Sequence, residues 1–312
     1  MSYLCSLVIP TKNGGELFKH VVAGLRRQTV WKNVEFIIVD SQSDDDTVET
    51  AKAAGATCLT VAAADFNHGA TRDFAISQAT TNRIVLLVQD ATPHDDRLIE
   101  TLITALEENN VAGVYARQIP YPDADVITKR NLNAHWTGRM ERATAEIKNL
   151  DAYAALPPHQ RYMLCNFDNV CSAIRKDVWA QEHFGRINFG EDIDWAERVL
   201  KRGHKIVYEP KAAVIHSHDR PLSYEYKRTY VCHRKLYNQF RLQVAPTLYT
   251  VLHAWVHWTL RDMAHIARHE PHWPTKLQMI FKSPAYNLLR VWGQYRAVRD
   301  EKAGAANTVR GV

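Results

Sequence analysis

RIVLLVQDATP, residues 83–93, runs five apolar residues in a row and then stops abruptly at a glutamine and an aspartate. A run that apolar reads as a strand covered on both faces, and such strands belong to a mainly parallel sheet with helices on either side. Two earlier stretches have the same form. LCSLVI (4–9) ends in PTKNGG, and VEFIIV (34–39) ends in DSQSDDDT. Leu17, Val21, Val22 and Leu25 fall at near-helical spacing, placing a helix over about 16–28. CLTVA (58–62) adds a strand and 69–79 a second helix. In open sheets of this kind ligands sit beyond the carboxyl ends of the strands. The three polar tails are therefore the places to look for a site.

Downstream, 133–150 reads as a helix, and NFDNVCSAIRKDVW (166–179) as a strand running into a helix. NFGEDIDWAERVLKRG (188–203) reads as a loop feeding a helix that ends at Gly203. KIVYEP and AVIHSH supply two further short strands. In the last quarter, Leu248, Val251, Leu252, Trp255, Thr259 and Ile266 mark one amphipathic helix. Leu277, Ile280, Phe281, Leu288, Val291, Trp292 and Tyr295 mark another, with Pro246 and Pro274 at helix starts.

The 312 residues are 46% hydrophobic and 23% charged, which excludes disordered and fibrous classes. No run of about 18 apolar residues suggests a membrane span, and the start lacks a signal-peptide pattern, so a cytoplasmic location is expected. Five cysteines without C-x-x-C spacing point to reduced thiols rather than a disulfide frame or a zinc site. Charge is uneven. Residues 1–225 hold 25 Lys and Arg against 30 Asp and Glu, a net −5, whereas 226–312 hold 14 against 4, a net +10. A catalytic body over 1–225 and a basic, Trp-rich helical extension over 226–312 are expected.

Asp40, at the end of an interior strand, is placed to accept from a base N–H or a ribose hydroxyl, or to join a turn in which Asp44, Asp45 and Asp46 cap the next helix. Asp90 follows the most apolar run in the chain, where a carboxylate needs a partner, and a divalent cation on two phosphates is one. In GEDIDW, Glu191, Asp192 and Asp194 crowd one helix start. That raises a carboxyl pKa toward general-base use, or simply complements the helix dipole. His216 and His218 stand two apart after a strand, on the same side, and imidazoles beside carboxylates suit a metal of mixed ligation.

In this order VIPTKNGG, IIVDSQSDDDT, FNHGATRD, LLVQDATP, GEDIDWAERVLKRG and VIHSH resemble the family 2 glycosyltransferases of the A-type fold, over about residues 4–220. The resemblance implies an α/β fold, GT-A and Rossmann-like, that binds a nucleotide sugar, with a C-terminal helical extension. It places Pro10, Thr11, Asp40, Arg72, Gln89, Asp90 and Glu191 at the donor, Asp192 as catalytic base, and Asp90 with His216 or His218 at a divalent Mg2+ or Mn2+ ion. Two departures stand out: Asp40 is followed by Ser41 rather than a second acid, and QDA leaves Asp90 as the sole carboxylate where the family carries D-x-D. FNHGATR and QDA resemble bacterial rhamnosyltransferases, implying dTDP-L-rhamnose as donor, with a UDP- or GDP-sugar as the alternative. The implied reaction is inverting transfer to a saccharide or lipid-diphosphate-linked acceptor in surface polysaccharide synthesis. The basic tail fits an anionic membrane surface on the cytoplasmic face, or packs on the catalytic domain or on a second copy as a homo-oligomer. A nucleic-acid-binding protein is the non-enzyme alternative, and no nucleic-acid motif supports it.

Overall fold

The computed structural model of the chain describes residues 3–218 and 221–306. Residues 307–312, the end of the expected extension, lie outside the described residues. Among the described residues nine strands form one sheet: Cys5–Thr11 (β1), Val34–Asp40 (β2), Thr57–Thr60 (β3), Arg83–Leu87 (β4), Thr92–Pro93 (β5), Val111–Ile119 (β6), Ala143–Glu146 (β7), Cys171–Arg175 (β8) and Lys205–Ile215 (β9). Their order is β3-β2-β1-β4-β8-β6-β9-β5, with β7 also on β9. The expected parallel core is β3-β2-β1-β4, joined by the parallel pair β6-β9. Strand β8 runs antiparallel between β4 and β6, making the sheet mixed at that point.

The helices are Gly15–Arg26 (α1), Thr47–Ala53 (α2), His68–Gln78 (α3), Leu98–Leu106 (α4), Val126–Ala134 (α5), Leu150–Ala155 (α6), Pro158–Leu164 (α7), Lys176–Trp179 (α8), Glu191–Lys201 (α9), Leu222–Phe240 (α10), Leu248–His269 (α11) and Trp273–Lys302 (α12). The strand period of two sorts the core. Leu7, Ile9, Phe36, Ile38, Val85 and Leu87 share one cluster with Phe18, Val21 and Leu25 of α1 and Leu102 of α4. Val8, Ile37, Val39, Ile84 and Leu86 point to the opposite face and are buried as well. Burial on both faces is why these strands read as largely apolar runs. Each fully buried Leu, Ile or Phe contributes about 1.5–3 kcal/mol.

Two sequence expectations are corrected. No helix covers 133–150: α5 starts at Val126, where Asp125 Oδ1 accepts from the backbone N–H groups of Ile127 (2.8 Å) and Thr128 (2.9 Å). ATAE, helix-prone by composition, instead pairs antiparallel with β9 from Ala143↔Tyr208 to Glu146↔Lys205, so tertiary pairing overrides local propensity. KIVYEP and AVIHSH are not two strands but one. Strand β9 continues through Pro210 with a register jump from Ala116↔Glu209 to Arg117↔Ala213, and Glu209 Oε1 takes the Lys211 N–H at 3.1 Å inside that irregularity.

The chain divides into two compact units. One comprises the chain up to Tyr121 with Leu132–Ala155 and Leu164–Ser217; the other comprises Pro122–Asn131, Leu156–Met163 and the chain from His218 onward. In the first, the sheet carries α1 to α4 and α9. In the second, α11 and α12 pack together, and α10 lies against α12. The cut after Glu225 drawn from charge falls inside α10, a helix the apolar spacing did not reveal. Thr247 caps α11 through a capping box, and α12 opens with Pro274 in its first turn. Buried Asp262 of α11 accepts from Arg130 (2.5 Å) and Asn287 (2.7 Å), tying α5 and α12 to it.

Candidate active site

The loops after β1 and β2 are sewn together. Asp40, the last residue of β2, is buried and accepts from Thr11 Oγ1 (3.0 Å), Ser43 N (2.8 Å) and Ser43 Oγ (2.6 Å). Thr11 sits opposite it in register, and Pro10, half-buried, sits opposite Val39. Asp45 shapes the next turn by accepting from Gly15 N (3.0 Å) and Thr47 N (3.1 Å). Asp40 thus does belong to the turn leading into α2, at the strand end where the sequence placed the nucleotide.

Gln89, two residues past β4, holds the β1 loop from both sides. Its Oε1 accepts from Lys12 N (2.8 Å) and its Nε2 donates to Lys12 O (3.0 Å). This clamp sets the backbone from which Asp90 projects. Asp90, His216 and His218 each offer a ligand atom within 4.8 Å of the others. His216 is buried, with Nε2 at 3.7 Å from Asp90 Oδ1 and Nδ1 at 2.9 Å from Gln118 Oε1. One carboxylate and two imidazoles are a mixed oxygen and nitrogen donor set that a divalent transition-metal ion such as Mn2+ accepts, so the residues fit a divalent cation of the kind the motifs imply.

FNHGATRD and the loop before α9 are one construction. Asn67 caps α3 by accepting from Ala70 N (3.0 Å), and its amide donates to Asn188. Gly69 N donates to Ile187 O (3.1 Å), and a Cβ at Gly69 would lie 2.1 Å from the Gly185 carbonyl oxygen, so only glycine lets the two backbones approach. Asp73 accepts from Trp179 Nε1 (2.7 Å), Phe184 N (3.0 Å) and Gly185 N (2.7 Å). Arg72 and Glu191, expected at the donor, meet each other at 2.8 Å with side chains 5% and 7% exposed. Gly190 opens α9 at φ 72°, left-handed backbone that favours glycine.

Asp192 is the acid that this anchoring presents. Ile193 N donates to its Oδ1 (2.8 Å) and Asn169 N to its Oδ2 at 3.4 Å. Burial first, then the charges of Glu191 and Asp168, hold its carboxyl well above the usual carboxylate range, which suits a general base. His68, desolvated and beside the Arg72 guanidinium, is held below the ordinary histidine value. Asp194 is turned instead to Arg198 (3.0 Å).

Asp168, Asn169 and Gln118 were not singled out in the sequence. Asn169 Nδ2 donates to Glu191 Oε1 (3.3 Å), and Gln118 Nε2 donates to Asp168 Oδ2 (2.6 Å). The polar pair Arg117 and Gln118 near the end of the mostly apolar β6 was the available signal for Gln118. The five cysteines are free, as their spacing suggested.

The Glycosyl transferase family 2 model matches residues 6–180, and the chain belongs to that family of glycosyltransferases. Among curated relatives, the O-antigen chain rhamnosyltransferase RfbN of Salmonella typhimurium is 28% identical over 231 residues, and WbaN of Salmonella anatum, of the same description, is 30% identical over 231. Both alignments cover 72% of this chain and 69% of the relative. Among solved structures, the mannosyltransferase PcManGT from Pyrobaculum calidifontis, in complex with GDP-Man and Mn2+, has a TM-score of 0.55 at 14% identity, covering 100% of this chain and 77% of that one. S. aureus TarS 1–349 has a TM-score of 0.52 at 11% identity, covering 98% and 93%. These two likenesses establish the fold, the A-type glycosyltransferase architecture with a helical C-terminal region.

Proposed function

We propose that the chain is an inverting rhamnosyltransferase that moves L-rhamnose from dTDP-L-rhamnose to a saccharide or lipid-diphosphate-linked acceptor in bacterial O-antigen-type polysaccharide synthesis. The observation that carries the sugar is the match over 231 residues to two O-antigen chain rhamnosyltransferases. The raised pKa of Asp192 supports the chemistry.

In this mechanism Thr11 and Asp40 frame the nucleotide, with Pro10 beside them, and Gln89 keeps the β1 and β4 loops in register. Asp90, His216 and His218 would hold a divalent cation, whose charge would offset that of the departing diphosphate. Asp192 takes the acceptor hydroxyl proton as that oxygen attacks the anomeric carbon, and the bond from that carbon to the diphosphate oxygen breaks on the opposite face. Arg72 and Glu191 serve the donor end by fixing the start of α9, from which Asp192 projects.

The tail belongs to the acceptor side of this proposal. Among the described residues no helix is long and apolar enough to cross a membrane. On α11, Leu252, Val256 and Leu260 follow at intervals of four and are 55%, 44% and 61% exposed; Trp273 and Phe281 of α12 are 64% and 78% exposed. With a net +10 over 226–312, that composition supports peripheral attachment to anionic lipid.

The test is release of nucleotide from dTDP-, UDP- and GDP-sugars by purified protein, with Mn2+ or with chelator. Metal-dependent release from dTDP-rhamnose is expected. Release from another donor overturns the rhamnose assignment, and Asp192→Asn retaining full transfer overturns the base.

A further inference from the structure

The imidazole of His216 is held by two groups to which the motifs give no role. Asp168 belongs to this chain of contacts. Its Oδ1 accepts from Val170 N (2.8 Å) and its Oδ2 from Gln118 Nε2 (2.6 Å). An ionised carboxylate only accepts, so the amide of Gln118 must turn its NH2 toward Asp168 and its oxygen toward His216. That oxygen lies 2.9 Å from His216 Nδ1. A carbonyl oxygen also only accepts, so Nδ1 must carry the proton. In a neutral ring the lone pair is then on Nε2, the nitrogen that faces Asp90. Gln118 and His216 are both 8% exposed, so water does not readily replace either bond. The backbone adds to this: Gln118 pairs in register with Val214, and His216 N donates to Ile119 O at 2.9 Å, fixing both side chains on adjoining strands.

We propose that Asp168 and Gln118 are positioning residues that lock His216 as the Nδ1–H tautomer, with Nε2 aimed at the cation site. The use of Nε2 as a ligand rests on the metal site proposed above; the tautomer does not. Asp168 is thereby shared, since it also stands among the charges that act on Asp192. One carboxylate orients the metal-facing imidazole and tunes the base.

The polarity of the relay can be reversed and then restored. In Asp168→Asn the new amide keeps its oxygen on Val170 N–H and turns its NH2 to Gln118. Gln118 then flips, presents its own NH2 to His216, and drives the proton to Nε2. In the double variant Gln118→Glu with Asp168→Asn, the NH2 at 168 donates to the carboxylate at 118, whose other oxygen again accepts from Nδ1–H. Nitrogen-15 spectra of the metal-free, histidine-labelled full chain at pH 8, assigned with His216→Gln, read the tautomer directly. Nδ1–H in the wild type and the double variant and Nε2–H in Asp168→Asn are expected. Mn2+ affinity, read from the free-ion electron paramagnetic resonance signal without donor, should fall about 10- to 100-fold in Asp168→Asn and return in the double variant, the range typical of outer-shell partners. An Nε2–H tautomer in the wild type overturns the relay, as does a double variant that melts like Asp168→Asn yet keeps its altered tautomer. The predicted tautomers without Mn2+ binding by the wild type uphold the relay and overturn the metal site instead.

Discussion

Glu191→Gln separates charge from shape at the centre of the site. The Arg72 to Glu191 pair spans 2.8 Å, with both side chains more than nine-tenths buried. Among the described residues Arg72 Nη1 has one other acceptor, the His68 carbonyl oxygen at 3.1 Å, and its buried Nε has none. Neutralising Glu191 keeps the shape and one hydrogen bond but leaves a buried guanidinium without its counter-charge. Breaking one side of such a pair costs about 3–5 kcal/mol, whereas replacing both partners with apolar groups is often close to neutral. Glu191→Gln should therefore lose about 3 kcal/mol, Glu191→Leu more, and the double variant Arg72→Met with Glu191→Leu much less than the sum of its parts. Denaturant midpoints of the three variants measure this. A second readout follows from Asp192. The Glu191 charge helps hold that carboxyl up, so Glu191→Gln should move the acid limb of kcat/KM to lower pH. A loss under about 1 kcal/mol with strictly additive double-variant effects, or an unmoved acid limb, would refute the reasoning.

Asp192→Asn should abolish transfer, spare donor binding, and stabilise the fold at pH 7. A carboxyl whose folded pKa is raised lowers stability as pH climbs from the ordinary carboxylate value to the folded one, so the gain should vanish below about pH 4; equal melting temperatures at pH 7 count against the raised pKa. Gly69→Ala, whose new methyl would sit 2.1 Å from the Gly185 oxygen, should cost about 1–3 kcal/mol and loosen the loop before α9, measured by thermal melting and kcat; wild-type values in both would show that the backbones are not in contact. Removing divalent metal with EDTA should stop transfer and Mn2+ restore it, and full activity in chelator would sink the role given to Asp90, His216 and His218. Flotation with anionic vesicles should be lost in Leu252→Glu with Phe281→Glu and weaken at high salt; unchanged flotation would place lipid contact elsewhere or nowhere on these helices.

The sequence by itself determined the strands at 4–9, 34–39 and 83–88 and their parallel pairing, and marked their polar ends as the place to seek a site, because burial on both faces leaves an apolar run that needs no partner to be recognised. It also marked Asp192 and the carboxylate and histidine cluster, since these lie in contiguous motifs. Tertiary structure alone decided where ATAE pairs, that β9 passes through Pro210 unbroken, and that α10 exists. These depend on partners distant in the chain, or, in α10, on burial of only a few residues such as Tyr230, Leu236 and Phe240 along nineteen. The same holds within the site. Arg72 is directed to Glu191, 119 residues away, and Gln118 to His216, 98 away. A side chain's hydrogen-bond partner is set by the fold's geometry and by the cost of leaving a buried donor unpaired, and neither is written in the residues beside it.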